Sequence, residues 1–352
     1  VPALAVADAL RDRGAEVSFL GTRERLEATL VPAAGYPLDH VRVEGIDRGN
    51  PLRAAHAATL AVGALPAARG VLRGREAQVV MGGGGYVAGP AGLAALSLRL
   101  PLVLTEADRH LGLANRLLAR RARRVCLAFP IPGLDGDRFV VTGRPVPAAI
   151  LAADRETARR RFGIAPSDRC LLVFGGSQGA RSINLCALEA FLDPGYRGRD
   201  YHVLHIAGHR DYATALQRLQ AAGEAAGGTV ARYTLLEYEP DLGDALAACD
   251  LVLARSGGSV FELAAAGRPA ILVPYPHAAA RHQHANAEWM AEGGAAVVIE
   301  DSELDAPRLR DAVAELLGDP GRLAAMSDAS RALARPDAAE RVADQIVKAA
   351  VV

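Results

Sequence analysis

At 352 residues the chain exceeds the size at which one hydrophobic core stops growing, so two domains of roughly 150 residues each are expected. Forty basic residues balance forty acidic ones, which excludes a global field that would recruit nucleic acid; attraction to an anionic surface must come from a local patch. No run of about 18 uncharged apolar residues exists to cross a bilayer. Cys126, Cys170, Cys186 and Cys249 stand far apart, with no CxxC pair and no secretory segment ahead of them, as expected of buried thiols in a reducing cytoplasm.

The opening VPALAVADALRDRG reads as an amphipathic helix ending at a glycine cap, with a strand after it and none before. The first βαβ unit thus lacks its opening strand, and the chain is expected to begin inside that repeat. Apolar β-branched runs then alternate with helical patterns, placing strands near 16–20, 78–81, 101–105, 123–127 and 139–142. A second series lies near 170–174, 201–207, 229–233, 250–254, 270–274 and 295–299. That alternation predicts an α/β chain with two Rossmann-like, doubly wound parallel sheets.

Between the first two strands, LRAAHAATLAVGALPAARGVLRGRE (52–76) mixes Leu60, Val62, Leu65, Val71 and Leu72 with Arg53, Arg69, Arg73 and Arg75. Such a stretch is either a core-packed helix with a solvated face or a patch that lies on anionic headgroups. VVMGGGGYVAGPAGLAAL (79–96) follows, with Gly82, Gly83, Gly84, Gly85 and Tyr86 ahead of Pro90, which suits the first position of a helix. Each glycine costs about 0.5–1 kcal/mol against alanine in regular structure, so close approach of the backbone to another group is the expected reason for four in a row. After the next strand, Thr105 and Asp108 in TEADRH fit a T-x-x-D helix cap. NRLLARRARRV (115–125) reads as an exposed helix face with arginine stems over apolar neighbours. The two prolines of TGRPVPAAIL (142–151) mark the linker, giving domains 1–145 and 146–336, with the helix 337–352 beyond Pro336 returning to the first.

In the second half, LLVFGGSQGARSINLCALEAF (171–191) places Gly175, Gly176, Ser177, Gln178 and Gly179 between a strand and a helix, where free amides and the positive helix end meet an anion. A tight turn that needs glycine for packing alone would read the same way. ARSGGSVFELAAAGRPAILVPYP (254–276) carries Ser259 and Glu262 at capping-box spacing, yet a carboxylate at a sheet mouth also suits a ribose diol. His277, His282 and His284 lack the i, i+4 spacing of helical metal ligands, so no metal is expected, and His282, Gln283 and Asn286 suit sugar hydroxyls better. His205 and His209 read as polar residues at a strand end.

Taken in order, GGGGYVAGP, GGSQGARSIN, RSGGSVFELAAAGRPAILVPYP and RHQHANA resemble the MurG family of N-acetylglucosaminyltransferases of peptidoglycan synthesis, along nearly the whole chain. The resemblance implies a GT-B fold, two Rossmann domains facing across a cleft, the first for acceptor and the second for UDP-GlcNAc. It implies that Glu262 binds the ribose hydroxyls and that Gly175 to Gly179, with Ser177, face the diphosphate. Arg255, Ser256 and Gly257 would line the nucleotide site, Gln283 and Asn286 would contact the GlcNAc with His282 beside them, and backbone near Tyr238 and Glu239 would read uracil. Gly82 to Gly85 and Tyr86 would face the acceptor diphosphate.

The implied reaction moves GlcNAc to the C4 hydroxyl of MurNAc in undecaprenyl-pyrophosphoryl-MurNAc-pentapeptide, with inversion, no metal or other cofactor, and no nucleic acid. The enzyme would sit peripherally on the cytoplasmic face of the bacterial inner membrane, against an anionic surface. The base would be Glu106, Asp108 or a histidine that the family carries in a glycine loop ahead of Val1. The sequence departs from the family at Ala107 and Asp108, where Gln-Asn is usual, and at Pro147, where arginine is common. Three alternatives stay open: a GT-B transferase with a soluble acceptor, a UDP-GlcNAc 2-epimerase, and a UDP-sugar-binding regulator without catalysis.

Overall fold

The computed structural model describes residues 2–44, 51–176, 179–193, 201–225, 232–278 and 281–351. They form two compact units, residues 1–147 with 335–352 and residues 148–334.

The first unit runs α1 (Pro2–Arg11), β1 (Phe19–Gly21), α2 (Glu27–Ala33), β2 (Leu38–His40), α3 (Pro51–Gly74), β3 (Val80–Gly82), α4 (Gly85–Ser97), β4 (Leu102–Glu106), α5 (Leu113–Leu118), β5 (Arg124–Leu127) and β6 (Phe139–Val141). Its strands are parallel but split between a pair, β1–β2, and a four-stranded sheet ordered β3-β4-β5-β6. Val103 and Cys126 turn one face of that sheet toward Val6, Ala9 and Leu10 of α1, and Leu102, Leu104, Val125 and Leu127 turn the other toward α3 and α4. Successive residues of a strand point to opposite faces, so a run apolar at every position is buried on both. The last helix of the chain, α15 below, packs against α1, β4 and β5 and so closes this unit.

The second unit runs α6 (Ala148–Ala152), α7 (Arg155–Arg161), β7 (Arg169–Phe174), α8 (Arg181–Leu192), β8 (Tyr201–Ile206), α9 (Tyr212–Ala225), β9 (Tyr233–Leu236), α10 (Leu242–Ala248), β10 (Leu251–Ala254), α11 (Val260–Ala265), β11 (Ala270–Leu272), α12 (His282–Glu292), β12 (Ala296–Val298), α13 (Ala306–Gly318) and α14 (Pro320–Leu333); α15 (Ala338–Ala350) follows. The sheet is parallel throughout, ordered β12-β11-β10-β7-β8-β9. Its register pairs Phe174 with both Ala254 and Ile206, and Ala254 with Leu272, so four strands end level and release their loops at one edge. All four cysteines are buried free thiols; burial pushes Cys126 and Cys186 up to about 12 and Cys249 to about 11.

Several local expectations are corrected. The strand expected at 229–233 instead begins at Tyr233, where register with Val203 fixes it; residues 226–231 lie outside the described residues. Pro90 sits inside α4 rather than at its start, because Gly84 and Gly85 at φ 79° and 73° begin the helix five residues earlier. No helix starts at Thr105: that residue ends β4, and α5 begins only after Gly112. Of the expected surface patch on α3, Leu72 is buried and Leu65 packs on the core, while Val62 is exposed; the side chain of Arg53 lies outside the described residues.

Candidate active site

In the second unit, β7 delivers the chain into Gly175 and Gly176, and α8 leaves from Gly179 and Ala180; Ser177 and Gln178 lie outside the described residues. Two of these glycines are needed by geometry alone. A Cβ on Gly175 would stand 2.2 Å from the Ala180 nitrogen, and one on Gly179 would meet the Ala207 carbonyl oxygen at 2.3 Å, at φ 74°. Gly176, at φ 86°, has open space around it. The N-cap of α8 is Ala180, which offers no side-chain oxygen, so the first-turn amides receive no side-chain cap from it. A 12-residue helix with an uncapped start attracts an anion through those amides and its dipole.

Below this loop a polar network holds α8. Asn184 donates to the Ala207 carbonyl at 2.8 Å and to Asp211 at 2.9 Å, and its Oδ1 meets His205 Nε2 at 3.0 Å. His205 Nδ1 then takes the Tyr233 hydroxyl at 2.7 Å. With Asn184 oriented this way, Nε2 carries the histidine proton, and burial lowers the His205 pKa to about 3. His205 is therefore a neutral core residue, while His209 is exposed, paired with Glu237 at 2.8 Å and stacked on Tyr238. Glu239, by contrast, is buried and accepts from Arg161 at 2.8 Å.

After β10, Arg255 turns its guanidinium to protein groups rather than outward. It donates to the carbonyls of Val273 and Pro274 at 3.1 and 3.3 Å, to Asp301 at 2.6 Å and to the Ser182 hydroxyl at 2.7 Å, and lies over Tyr275. Ser256 is fully buried and donates to the Gln283 carbonyl at 2.8 Å, and the Asn286 amide donates to the Ser256 carbonyl at 3.0 Å. Gln283 accepts from the Tyr275 amide at 2.9 Å. Arg255, Ser256, Gly257, Gln283 and Asn286 are thus brought together as one clamp between the loop after β10 and α12. Among the described residues, neither the Gln283 NH2 nor Asn286 Oδ1 has a hydrogen-bond partner. His282 opens α12 beside them, half-buried.

Glu262 lies in the first turn of α11, half-buried. The serine half of the expected capping box is not made: Ser259 has helical φ and ψ, caps nothing, and points its hydroxyl toward the Arg255 carbonyl. A Ser259 already in the helical region cannot adopt the extended N-cap conformation.

In the first unit, Gly82 to Gly85 join β3 to α4, whose N-cap, Gly84, supplies no side chain. A Cβ on Gly82 would strike Leu104 at 2.9 Å, and Gly84 and Gly85 have positive φ. Gly83 has neither constraint; its nearest neighbour would be Thr105 Oγ1 at 3.8 Å. Tyr86 is 41% exposed, with the Arg25 guanidinium 4.8 Å from its ring centre.

Glu106 ends β4 buried, with both carboxylate oxygens bonded to protein groups. One oxygen accepts from the amides of Ala107 and Asp108 at 3.0 and 3.2 Å, the other from the Gly112 amide at 2.8 Å and the Asn115 side chain at 2.9 Å. A carboxylate has about four lone-pair sites, and these donors occupy them. Glu106 therefore shapes the loop 107–112, a role the residue spacing did not signal because Asn115 lies nine positions on. Asp108 is half-buried, and its carboxylate makes no hydrogen bond among the described residues.

The chain matches two family models, the glycosyltransferase family 28 N-terminal domain over residues 1–127 and the C-terminal domain over residues 170–342. It is 41% identical to the UDP-N-acetylglucosamine--N-acetylmuramyl-(pentapeptide) pyrophosphoryl-undecaprenol N-acetylglucosamine transferase of Moorella thermoacetica, across 99% of this chain and 95% of that one. The protein of the same name from Halorhodospira halophila is 43% identical, with 97% and 92% covered. Among solved structures, Acinetobacter baumannii MurG superposes with a TM-score of 0.76 at 30% identity, over 99% and 95% of the two chains. Its paired parallel-sheet units are those of the GT-B fold. With both halves matched in order, this chain belongs to glycosyltransferase family 28.

Proposed function

We propose that this chain transfers GlcNAc from UDP-GlcNAc to the C4 hydroxyl of MurNAc in undecaprenyl-pyrophosphoryl-MurNAc-pentapeptide, with inversion, yielding the disaccharide lipid used for peptidoglycan. The observation that carries the donor half is the uncapped start of α8 behind a loop whose Gly175 and Gly179 admit no side chain. Those amides offer the departing UDP the electrostatic stabilisation that a transition state with charge on the leaving group needs. Glu262 accepts from the ribose hydroxyls; the Gln283 NH2 and Asn286 Oδ1 are the groups left to bond the sugar. The Gly82–Gly85 loop and Tyr86 take the acceptor diphosphate, and Asp108 is the candidate base on this chain, held by the loop that Glu106 organises.

No helix among the described residues is long and apolar enough to cross a membrane. In this reading the lipid acceptor is met by surface contact, at the cytoplasmic leaflet. The first unit offers a surface for it. Val62, Leu93 and Leu117 are exposed on α3, α4 and α5, which pack in sequence, and Arg73, Arg116, Arg120 and Arg121 are exposed on or beside them. Near an anionic leaflet each such cation contributes about 1 kcal/mol.

The test is transfer from radiolabelled UDP-GlcNAc to a lipid acceptor bearing pyrophosphoryl-MurNAc-pentapeptide, beside a soluble glycosyl acceptor. Label in the lipid alone is expected; label in the soluble acceptor would overturn the acceptor reading. Glu262→Ala is expected to weaken donor binding by about tenfold or more, beyond the roughly 1 kcal/mol that loss of a helix cap explains. Unchanged donor affinity with a lowered melting temperature would leave Glu262 a structural role only.

A further inference from the structure

Ser182 and Asp301, which the donor reading above does not use, close a ring of polar contacts with Arg255. Asp301 lies in the 3-10 turn Asp301–Glu303 after β12, 119 residues from Ser182 and 46 from Arg255. Its Oδ1 accepts from the Ser182 hydroxyl at 2.7 Å and from Arg255 at 2.6 Å, while Arg255 donates to Ser182 at 2.7 Å. The side chains of Arg255 and Asp301 are 11% and 23% exposed, so the pair is largely shielded from solvent. Through the Val273 and Pro274 carbonyls the ring also reaches the end of β11. Four neighbouring strands, β12-β11-β10-β7, are thereby tied at the edge from which their loops leave.

Ser182 is the second residue of α8, immediately after the loop assigned to the diphosphate. A hydroxyl there ordinarily has the option of bonding nearby main chain and so competing with a ligand. Here its proton goes to Asp301 and a lone pair receives Arg255, which keeps it off the first-turn amides. On its other side, α8 is already held by Asn184 through Ala207, Asp211 and His205. The start of the helix is therefore pinned from both flanks, and Asp301 supplies the acceptor for one of them.

We propose that Asp301 is a positioning residue of the donor site, acting through Ser182 and Arg255 to hold the start of α8 at the donor's phosphates. The proposal rests on the donor reading and adds a residue to it. Because Asp301 acts on the start of α8, whose amides face the phosphates in this reading, its loss discriminates between ligands that carry phosphate and ligands that do not.

The test uses the full chain with Asp301→Asn, Ser182→Ala and the double variant, measuring affinity for UDP and for uridine by competition. Asp301→Asn is expected to weaken UDP about tenfold, the scale of a hydrogen bond to a charged group, and to leave uridine unchanged. Ser182→Ala, which removes no charge and keeps the test open should Asp301→Asn fail to fold, is expected to weaken UDP alone as well. The double variant is expected to be no weaker than the worse single one, because both act in one ring. Equal losses for UDP and uridine, or single effects that multiply in the double variant, overturn the proposal. Wild type binding UDP no better than uridine would instead sink the donor reading; wild-type discrimination retained by Asp301→Asn would sink only the role of Asp301.

Discussion

Glu106 and Asp108 stand two residues apart and meet opposite surroundings, one carboxylate saturated by four N–H groups and the other with none among the described residues. Which of them is taken up by the protein was not legible in TEADRH, since the donors that occupy Glu106 come mostly from a loop whose path no spacing rule gives. His205 is a second case. Its strand-end position was read from sequence, but not its partners, because Asn184 and Tyr233 come from α8 and β9. Its neutrality has a consequence for stability. The unfolded chain takes up a proton at His205 below its ordinary 6.5, whereas the folded chain, with the ring facing Tyr233, Asn184 and beyond it Asp211, resists until about 3. Stability from this group is thus complete above 6.5 and is lost as pH falls toward 3, at up to about 1.4 kcal/mol per pH unit. Trp289, the single tryptophan, packs on Phe261 in the second unit and reports its unfolding. Denaturant titrations followed by its fluorescence at about pH 7 and about pH 5 are expected to lose this increment in wild type and largely keep it in His205→Gln.

The glycine loops show what was readable at the level of elements. Both follow apolar strands and open helices, as the sequence predicts, but the four glycines of the first loop do different things. Gly82 yields to Leu104, Gly84 and Gly85 supply positive φ, and Gly83 has room for a methyl group. Gly83→Ala is therefore expected to leave the melting temperature within about 1 °C, its stability change staying small as at most permissive sites. If the acceptor diphosphate lies there, the same change raises the acceptor KM severalfold; an unchanged KM would move the acceptor elsewhere. Strands were legible wherever an apolar run was long enough, as in RCLLVF of β7, buried on both faces. β2, only Leu38–His40 and partly exposed, carries no such run and was missed. The ring of Ser182, Arg255 and Asp301 was illegible because its members lie far apart in sequence and share no periodicity.

For the molecule as a whole, charge neutrality excluded a global attraction to an anionic surface and left local clustering to do that work. The proposed cluster draws less on α3, whose Leu65 and Leu72 turn to the core, than on exposed residues of α3, α4 and α5 together. Arg116, Arg120 and Arg121 replaced by glutamate, together with Leu117→Asp, are expected to abolish flotation with anionic vesicles while transfer to a detergent-dispersed acceptor persists. Flotation equal to wild type would place the lipid contact on another surface.

The first unit is assembled from two distant parts of the chain, with α15 laid against α1, β4 and β5. Gly143, at φ 85°, sits where a Cβ would strike Arg335 at 2.5 Å, so the outgoing and returning strands of the chain pass side by side there. On the ribosome this inverts the usual order of maturation. The second unit, continuous from 148 to 334, has all its residues before the first does, and residues 1–147 must wait for 335–352 to be translated. Until then the apolar surface of α1, β4 and β5 that Val342, Ala343 and Ile346 later cover stays open on the nascent chain.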